Sequence, residues 1–275
     1  MYNFGLVKRR RRRKIAAIFA IVGAIGVSVF AIIAFLGHQV GTFTVSLKNS
    51  GVSLTMFQHV DLQEQEETTY LSINNLDSFT AAYSYKWFKN DSKGYTFDKI
   101  HSEESSYELG KSQIGTGLGF FKYTFYIKNS GSIDATYDMD IELTENIKPQ
   151  NGAASLDEYL RLAIFEGAFV GNTVKDPVVY ARRSKSRYDA SHETYKEYVS
   201  GPEGTTNYFG EAELFESDSL LATVTNSLKT NEYRMYTLLF WLEGEDNECK
   251  DLPDQASLRI GATINAYPKQ SQEAD

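Results

Sequence analysis

Lys8-Arg9-Arg10-Arg11-Arg12-Arg13-Lys14 is a run of seven cations, and directly behind it Ile15 to Leu36 passes 22 residues without a charge. As a helix rising about 1.5 Å per residue, that run would reach about 33 Å, enough for a hydrocarbon core of roughly 30 Å. It reads as one transmembrane helix, residues 15–37, in contact with the lipid bilayer through 15–36. Cations massed on one side place residues 1–14 in the cytoplasm and everything after the span outside. A secretory signal peptide also opens with positive charge, but its apolar core usually runs about 7 to 15 residues. Ala31-Ile32-Ile33-Ala34 also lacks the small-x-small spacing of a cleavage site. The expectation is an uncleaved signal anchor, single-pass in the cell membrane, carrying an extracellular domain over residues 38–267.

Charge narrows the partners of that domain. With the seven basic residues before the apolar run set aside, 21 basic and 36 acidic side chains remain, a formal charge of −15. A field of that sign repels nucleic acid and attracts cations or basic surfaces. Cys249 is the single cysteine, so no intramolecular disulfide forms and the domain relies on its own core. About 226 residues from Thr42 to Tyr267 suffice for one large domain or two small ones. Aromatic residues at 13%, with abundant Tyr and Thr, favour strands.

Period-2 alternation marks those strands. Phe43, Val45 and Leu47 alternate with polar residues, as do Val52, Leu54 and Met56, and Asn49-Ser50-Gly51 between them predicts a hairpin turn. Thr69–Ile73 and Phe79–Phe88 read as further strands, the second with Tyr83, Tyr85 and Trp87 on one side. The clearest pattern is Phe120–Thr144. Phe121, Tyr123, Phe125 and Ile127 form one face against Lys122, Thr124, Tyr126 and Lys128, then Asn129-Ser130-Gly131 turns the chain into Tyr137, Met139, Ile141 and Leu143. Two strands, each with one wet face, suit a sandwich. Ser155-Leu156-Asp157-Glu158 has capping-box spacing before a strand at Leu160–Phe165. Residues 167–210 lose the alternation and read as an irregular insertion. Strands return at Ser219–Val224, Tyr233–Leu242 and Ser257–Tyr267, and 268–275 reads as a disordered tail.

Catalytic sets are scarce. His38, His59, His101 and His192 all fall in loop-like stretches, and His192-Glu193 opens a zinc-protease motif whose second histidine position holds Lys196. No Gly-x-Ser-x-Gly elbow is present, and Gly115-Thr116-Gly117-Leu118-Gly119 leads into a strand instead of a phosphate-binding helix. The sharpest local feature follows Trp241-Leu242: Glu243, Glu245, Asp246, Asn247 and Asp251 crowd hard oxygen donors into one turn. Such donors suit Ca²⁺, which takes about 6 to 8 oxygen ligands, although the EF-hand spacing is absent and a solvated acidic turn explains the same residues. No other cofactor is expected.

Several of these segments, Phe125-Tyr126-Ile127-Lys128-Asn129-Ser130-Gly131-Ser132, Tyr137-Asp138-Met139-Asp140-Ile141, Leu160-Arg161-Leu162-Ala163-Ile164 and Tyr236 through Asp246, resemble the exported β-sandwich proteins of Gram-positive-type bacteria around camelysin and the TasA matrix protein. The likeness covers Thr42–Asn146 and Leu160–Tyr267. It implies a jelly-roll-like sandwich, export and, in some members, fibre or biofilm-matrix assembly. The protease activity attributed to camelysin has no matching site here. The expected architecture is therefore all-β, an antiparallel jelly-roll-like β-sandwich behind one N-terminal transmembrane helix. The expected function is that of a non-enzymatic surface, adhesion or matrix component, with self-association or other surface proteins as partners. The alternative is an extracellular module that binds carbohydrate, with or without Ca²⁺. An open edge strand would favour assembly, and a concave patch of Tyr and Trp would favour a ligand.

Overall fold

A computed structural model describes residues 41–58, 67–76, 82–90, 96–97, 107–111, 118–149, 154–167, 176–183, 196–201, 204–206, 208–246, 249 and 256–269. The apolar run 15–36, the four histidines and the 268–275 tail beyond Lys269 lie outside them. No helix among the described residues is long and apolar enough to cross a membrane.

Among the described residues, thirteen strands make two sheets. They are β1 (Gly41–Asn49), β2 (Leu54–Phe57), β3 (Tyr70–Leu76), β4 (Tyr107–Lys111), β5 (Leu118–Asn129), β6 (Ala135–Ile147), β7 (Leu160–Gly167), β8 (Val178–Ala181), β9 (Lys196–Val199), β10 (Gly210–Leu214), β11 (Leu220–Leu228), β12 (Tyr233–Leu242) and β13 (Ser257–Pro268). Sheet A runs β11-β6-β13-β1-β3, and sheet B runs β2-β5-β12-β7-β8-β10-β9 with β4 also against β5. Most pairs are antiparallel, as expected. Two are parallel, β1 with β13 and β8 with β10.

The alternation read from the sequence builds the core between the sheets. Phe43, Val45 and Leu47 from β1, Met139 and Ile141 from β6 and Ile264 from β13 meet Phe121, Tyr123 and Phe125 from β5 and Leu238 and Phe240 from β12. Sheet A keeps one wet face: Asp138 accepts from Thr225 Oγ1 at 2.6 Å and from Tyr267 OH at 3.0 Å, and Asp140 accepts from Thr223 Oγ1 at 3.0 Å.

Sheet B departs from the expectation, because Lys122 and Thr124 are buried instead of wet. Its outer face carries a second apolar layer in which Phe120, Ala163, Phe165, Leu239 and Trp241 pack against Tyr83, Tyr85, Phe88 and Phe97. Strands buried on both faces read as continuous apolar runs, and Thr237-Leu238-Leu239-Phe240-Trp241-Leu242 is one. The predicted strand Phe79–Phe88 is instead, where described, a bridge residue Tyr83 and a short helix, α1 (Tyr85–Asn90), which buries Tyr85 and Phe88 at i, i+3 spacing. At Leu156–Tyr159 the expected helical turn, α2, forms, with Glu158 Oε1 accepting from the Ser155 amide at 3.1 Å. The stretch 167–210 is no mere insertion, since it supplies β8, β9 and the start of β10 to sheet B.

Both Asn-Ser-Gly turns also differ from the expected hairpins. β1 and β2 lie in different sheets, and so do β5 and β6, so each turn is an arch that carries the chain across the core. Turn chemistry fixes a reversal but not the sheet that receives the next strand. The side chain of Asn49 bonds Leu54 twice, from Nδ2 to the carbonyl and from the amide to Oδ1, both at 3.0 Å. Asn129, fully buried, donates to the carbonyls of Ile133 (2.8 Å) and Leu228 (3.2 Å) and accepts from the Gly131 amide (3.0 Å). The arches touch where Ser130 N meets Ser53 O at 2.9 Å, and a Cβ on Gly131 would stand a tight 3.1 Å from Asn129 Oδ1, so a larger residue there would have to push that side chain aside.

Candidate functional site: a buried charge cluster under an aromatic cap

The acidic turn identified in the sequence lies where β12 ends and the segment Ala82–Asn90 crosses the outer face of sheet B. Register sets Arg161 of β7 opposite Trp241 of β12. A charge inside Leu160-Arg161-Leu162-Ala163-Ile164 has no route to water, so it requires a buried partner. Asp246 provides it: Arg161 Nη2 lies 2.7 Å from Asp246 Oδ2 with both side chains fully buried, and Arg161 Nη1 donates to the Leu160 carbonyl at 3.0 Å.

Glu243, also fully buried, closes the joint. Its Oε2 accepts from the Tyr85 amide at 2.9 Å and from Trp241 Nε1 at 3.0 Å, and its Oε1 accepts from Ser200 Oγ at 3.3 Å. Desolvation pushes the Glu243 carboxyl above the ordinary glutamate range and the Asp246 charge adds to this, against the opposing pull of Arg161 and the two N–H donors. Backbone bonds complete the seam, from Tyr83 N to Leu242 O at 2.9 Å and from Gly244 N to Tyr83 O at 2.7 Å. A Cβ on Gly244 would come within 3.1 Å of that Tyr83 oxygen. Ser200, held at φ 64°, brings the turn after β9 to the same carboxylate.

Aromatic rings roof the cluster. Phe88 stacks on Phe97 at 5.1 Å and meets Trp241 edge-on at 5.1 Å, while Tyr83 meets Trp87 edge-on at 4.8 Å. Lys89 Nζ sits 5.6 Å from the Phe97 ring centre. Burial raises the Tyr85 phenol above its usual range, with the Asp176 charge as a smaller contributor. Both tryptophans of the chain thus belong to this one layer, Trp241 fully buried and Trp87 half-buried against it.

Of the five candidate metal ligands, Glu243 and Asp246 turn inward onto N–H donors and Arg161. Glu245 lies at the surface, ion-paired with Lys86. Asn247 and Asp251 lie outside the described residues. Among the described residues no group of three or more His, Cys, Asp or Glu side chains is placed to hold a metal ion. Cys249 is buried, its amide donating to the Asp246 carbonyl at 3.1 Å. The residues that the acidic pattern did not reveal are Arg161, Ser200, Tyr85 and Trp241. Arg161 alone had a signal, a lone charge in an otherwise apolar strand. Chemically the arrangement fastens four segments together, and its carboxylates are occupied in doing so. Compared with protein-family models, with curated proteins and with solved structures, the chain matches none.

Proposed function

We propose that the chain is a membrane-anchored, surface-displayed and non-enzymatic β-sandwich protein, a surface or adhesion component. In this reading residues 15–36 form the transmembrane helix, residues 1–14 are cytoplasmic, and the domain is a jelly-roll-like sandwich allied to the camelysin and TasA-like exported proteins. The pairing of β5 on both sides and the occupied amides of sheet A's edge strands are the observation that carries it. β5 is paired along both edges, at Lys122 with Leu239 and Glu108 and at Lys128 with Tyr233 and Thr55. Sheet A's two edge strands have amides occupied by local side chains: Tyr70 N by Thr68 Oγ1 at 3.1 Å, Leu220 N by Ser217 Oγ at 2.9 Å and Thr223 N by Glu216 Oε1 at 2.6 Å. Edges blunted in this way favour a self-contained module over one that extends its sheet into a neighbour.

Protease applied to intact cells tests the topology. Digestion of the domain with a short protected N-terminal fragment is expected, and full protection overturns the reading. A monomeric mass by light scattering in detergent is the second expectation; ordered polymers would return the domain to a matrix-forming role. For the alternative module, the probe is CaCl₂ with a melting-temperature readout. A rise lost in Glu245→Gln would assign the turn to Ca²⁺, and no rise would leave it a structural joint.

A further inference from the structure

On the proposed tether, any pull between bilayer and domain enters the sandwich through the first residue of β1, and the inference here rests on that reading. β1 is an interior strand of sheet A. Seven consecutive residues, Phe43 to Asn49, run parallel to β13 in register with Ile260 to Ala266, and on the other side β1 is antiparallel to β3. A pull on Gly41 along the strand axis, resisted at the far end of the domain, slides β1 against both neighbours. Every bond of both ladders is then loaded together, whereas a pull across the strand would open them one at a time.

The side chains reinforce the same direction. The Phe43 ring sits 5.1 Å from Tyr123, 5.5 Å from Phe121 and 5.8 Å from Phe240, so sliding β1 by one residue would turn Phe43, Val45 and Leu47 out of the core. The far end is locked as well, by the two Asn49–Leu54 bonds and by Ser50 N to Ala266 O at 2.8 Å. We propose that β1 is a mechanical clamp, a load-bearing strand through which a tethered domain withstands force along the tether.

Optical tweezers on the full chain in lipid nanodiscs test this, with one handle at the N-terminus. The second handle is a thiol at Ser132→Cys, exposed in the β5–β6 arch beside the far end of β1, or at Ser219→Cys, exposed at the same end as Gly41. The buried Cys249 is left in place. Unfolding force is expected to be about twofold or more higher with the Ser132→Cys handle, which shears β1, than with the Ser219→Cys handle, which peels it. A handle on the C-terminus, with no substitution in the domain, also shears β1 against β13 and should match the higher force. Equal forces in all three geometries overturn the clamp and leave the tether standing. Protection of the domain on intact cells overturns the tether and leaves the force ratio unchanged.

Discussion

On β6 the carboxylates of Asp138 and Asp140 lie half-buried on the outer face of sheet A and accept from neighbouring hydroxyls, whereas in sheet B Arg161, Asp246 and Glu243 are buried beneath a second layer of rings. The same residue types do different work because sheet A has one apolar face and sheet B has two. In water a charge costs little to keep and contributes little; between two apolar layers it is held by its partners or not at all. Arg161→Ala is the harshest way to break that contrast. It leaves Asp246 buried without its guanidinium, and a loss of about 3–5 kcal/mol in urea unfolding is expected. Replacing both partners, Arg161→Met with Asp246→Leu, should recover most of that loss. A single-variant loss under about 1 kcal/mol would mean the pair is hydrated.

Asn129 and Asn49 sharpen the comparison at the two arches. Asn129→Ala removes the buried side chain that serves the Gly131 amide and the carbonyls of Ile133 and Leu228, the last of them buried, and about 1–3 kcal/mol of stability should go. Asn49 is itself exposed and its two bonds to the buried Leu54 are only part-buried, so water can reach the vacated site and Asn49→Ala should lose only about 0.5–1 kcal/mol. Equal losses would show that the two turns are equivalent after all.

The same contrast explains what could be read from residues alone. Phe43 through Leu47 and Tyr137 through Leu143 show period 2 because sheet A divides water from core, so their strands and faces are legible. Lys122 and Thr124 mimic a wet face, since nothing local announces that this face of sheet B is buried. That segment itself reads as a strand because its rings favour strands, yet Tyr85 and Phe88 meet sheet B from a single helical turn. Tertiary burial overrides propensity there. In the candidate site, Glu243 and Asp246 appear as an acidic turn, but the group that neutralises Asp246 is Arg161, 85 residues earlier in the chain. Only the fold brings them together.

A smaller effect follows from protons at Glu243. The folded protein holds that proton more tightly than the unfolded chain does, because burial disfavours the carboxylate. Its contribution to stability is therefore complete below the ordinary glutamate value of about 4.3 and is lost as pH rises through the elevated folded value. Glu243→Gln keeps an acceptor for the Tyr85 and Trp241 N–H groups without acquiring charge. Urea titrations between about pH 5 and pH 8 should show the wild type losing ground to the variant as pH increases. A gap that stays flat with pH would mean that Glu243 ionises as it would in water.

Asp138 sets the lower bound. Asp138→Asn keeps an acceptor for Thr225 on a face that water already covers, so stability should change by no more than about 0.5 kcal/mol. The variant nevertheless has a readable signature. Tyr267 donates to Asp138 Oδ2, and that bond, more than burial, raises its phenol. With the anion gone, Tyr267 should ionise at lower pH, visible by ultraviolet titration against a Tyr267→Phe control. A raised pKa stabilises the fold only below the phenol's titration, so the wild type's small advantage should vanish in alkali. A stability loss above about 2 kcal/mol at neutral pH would place Asp138 among the buried charges and erase the distinction between the two sheets.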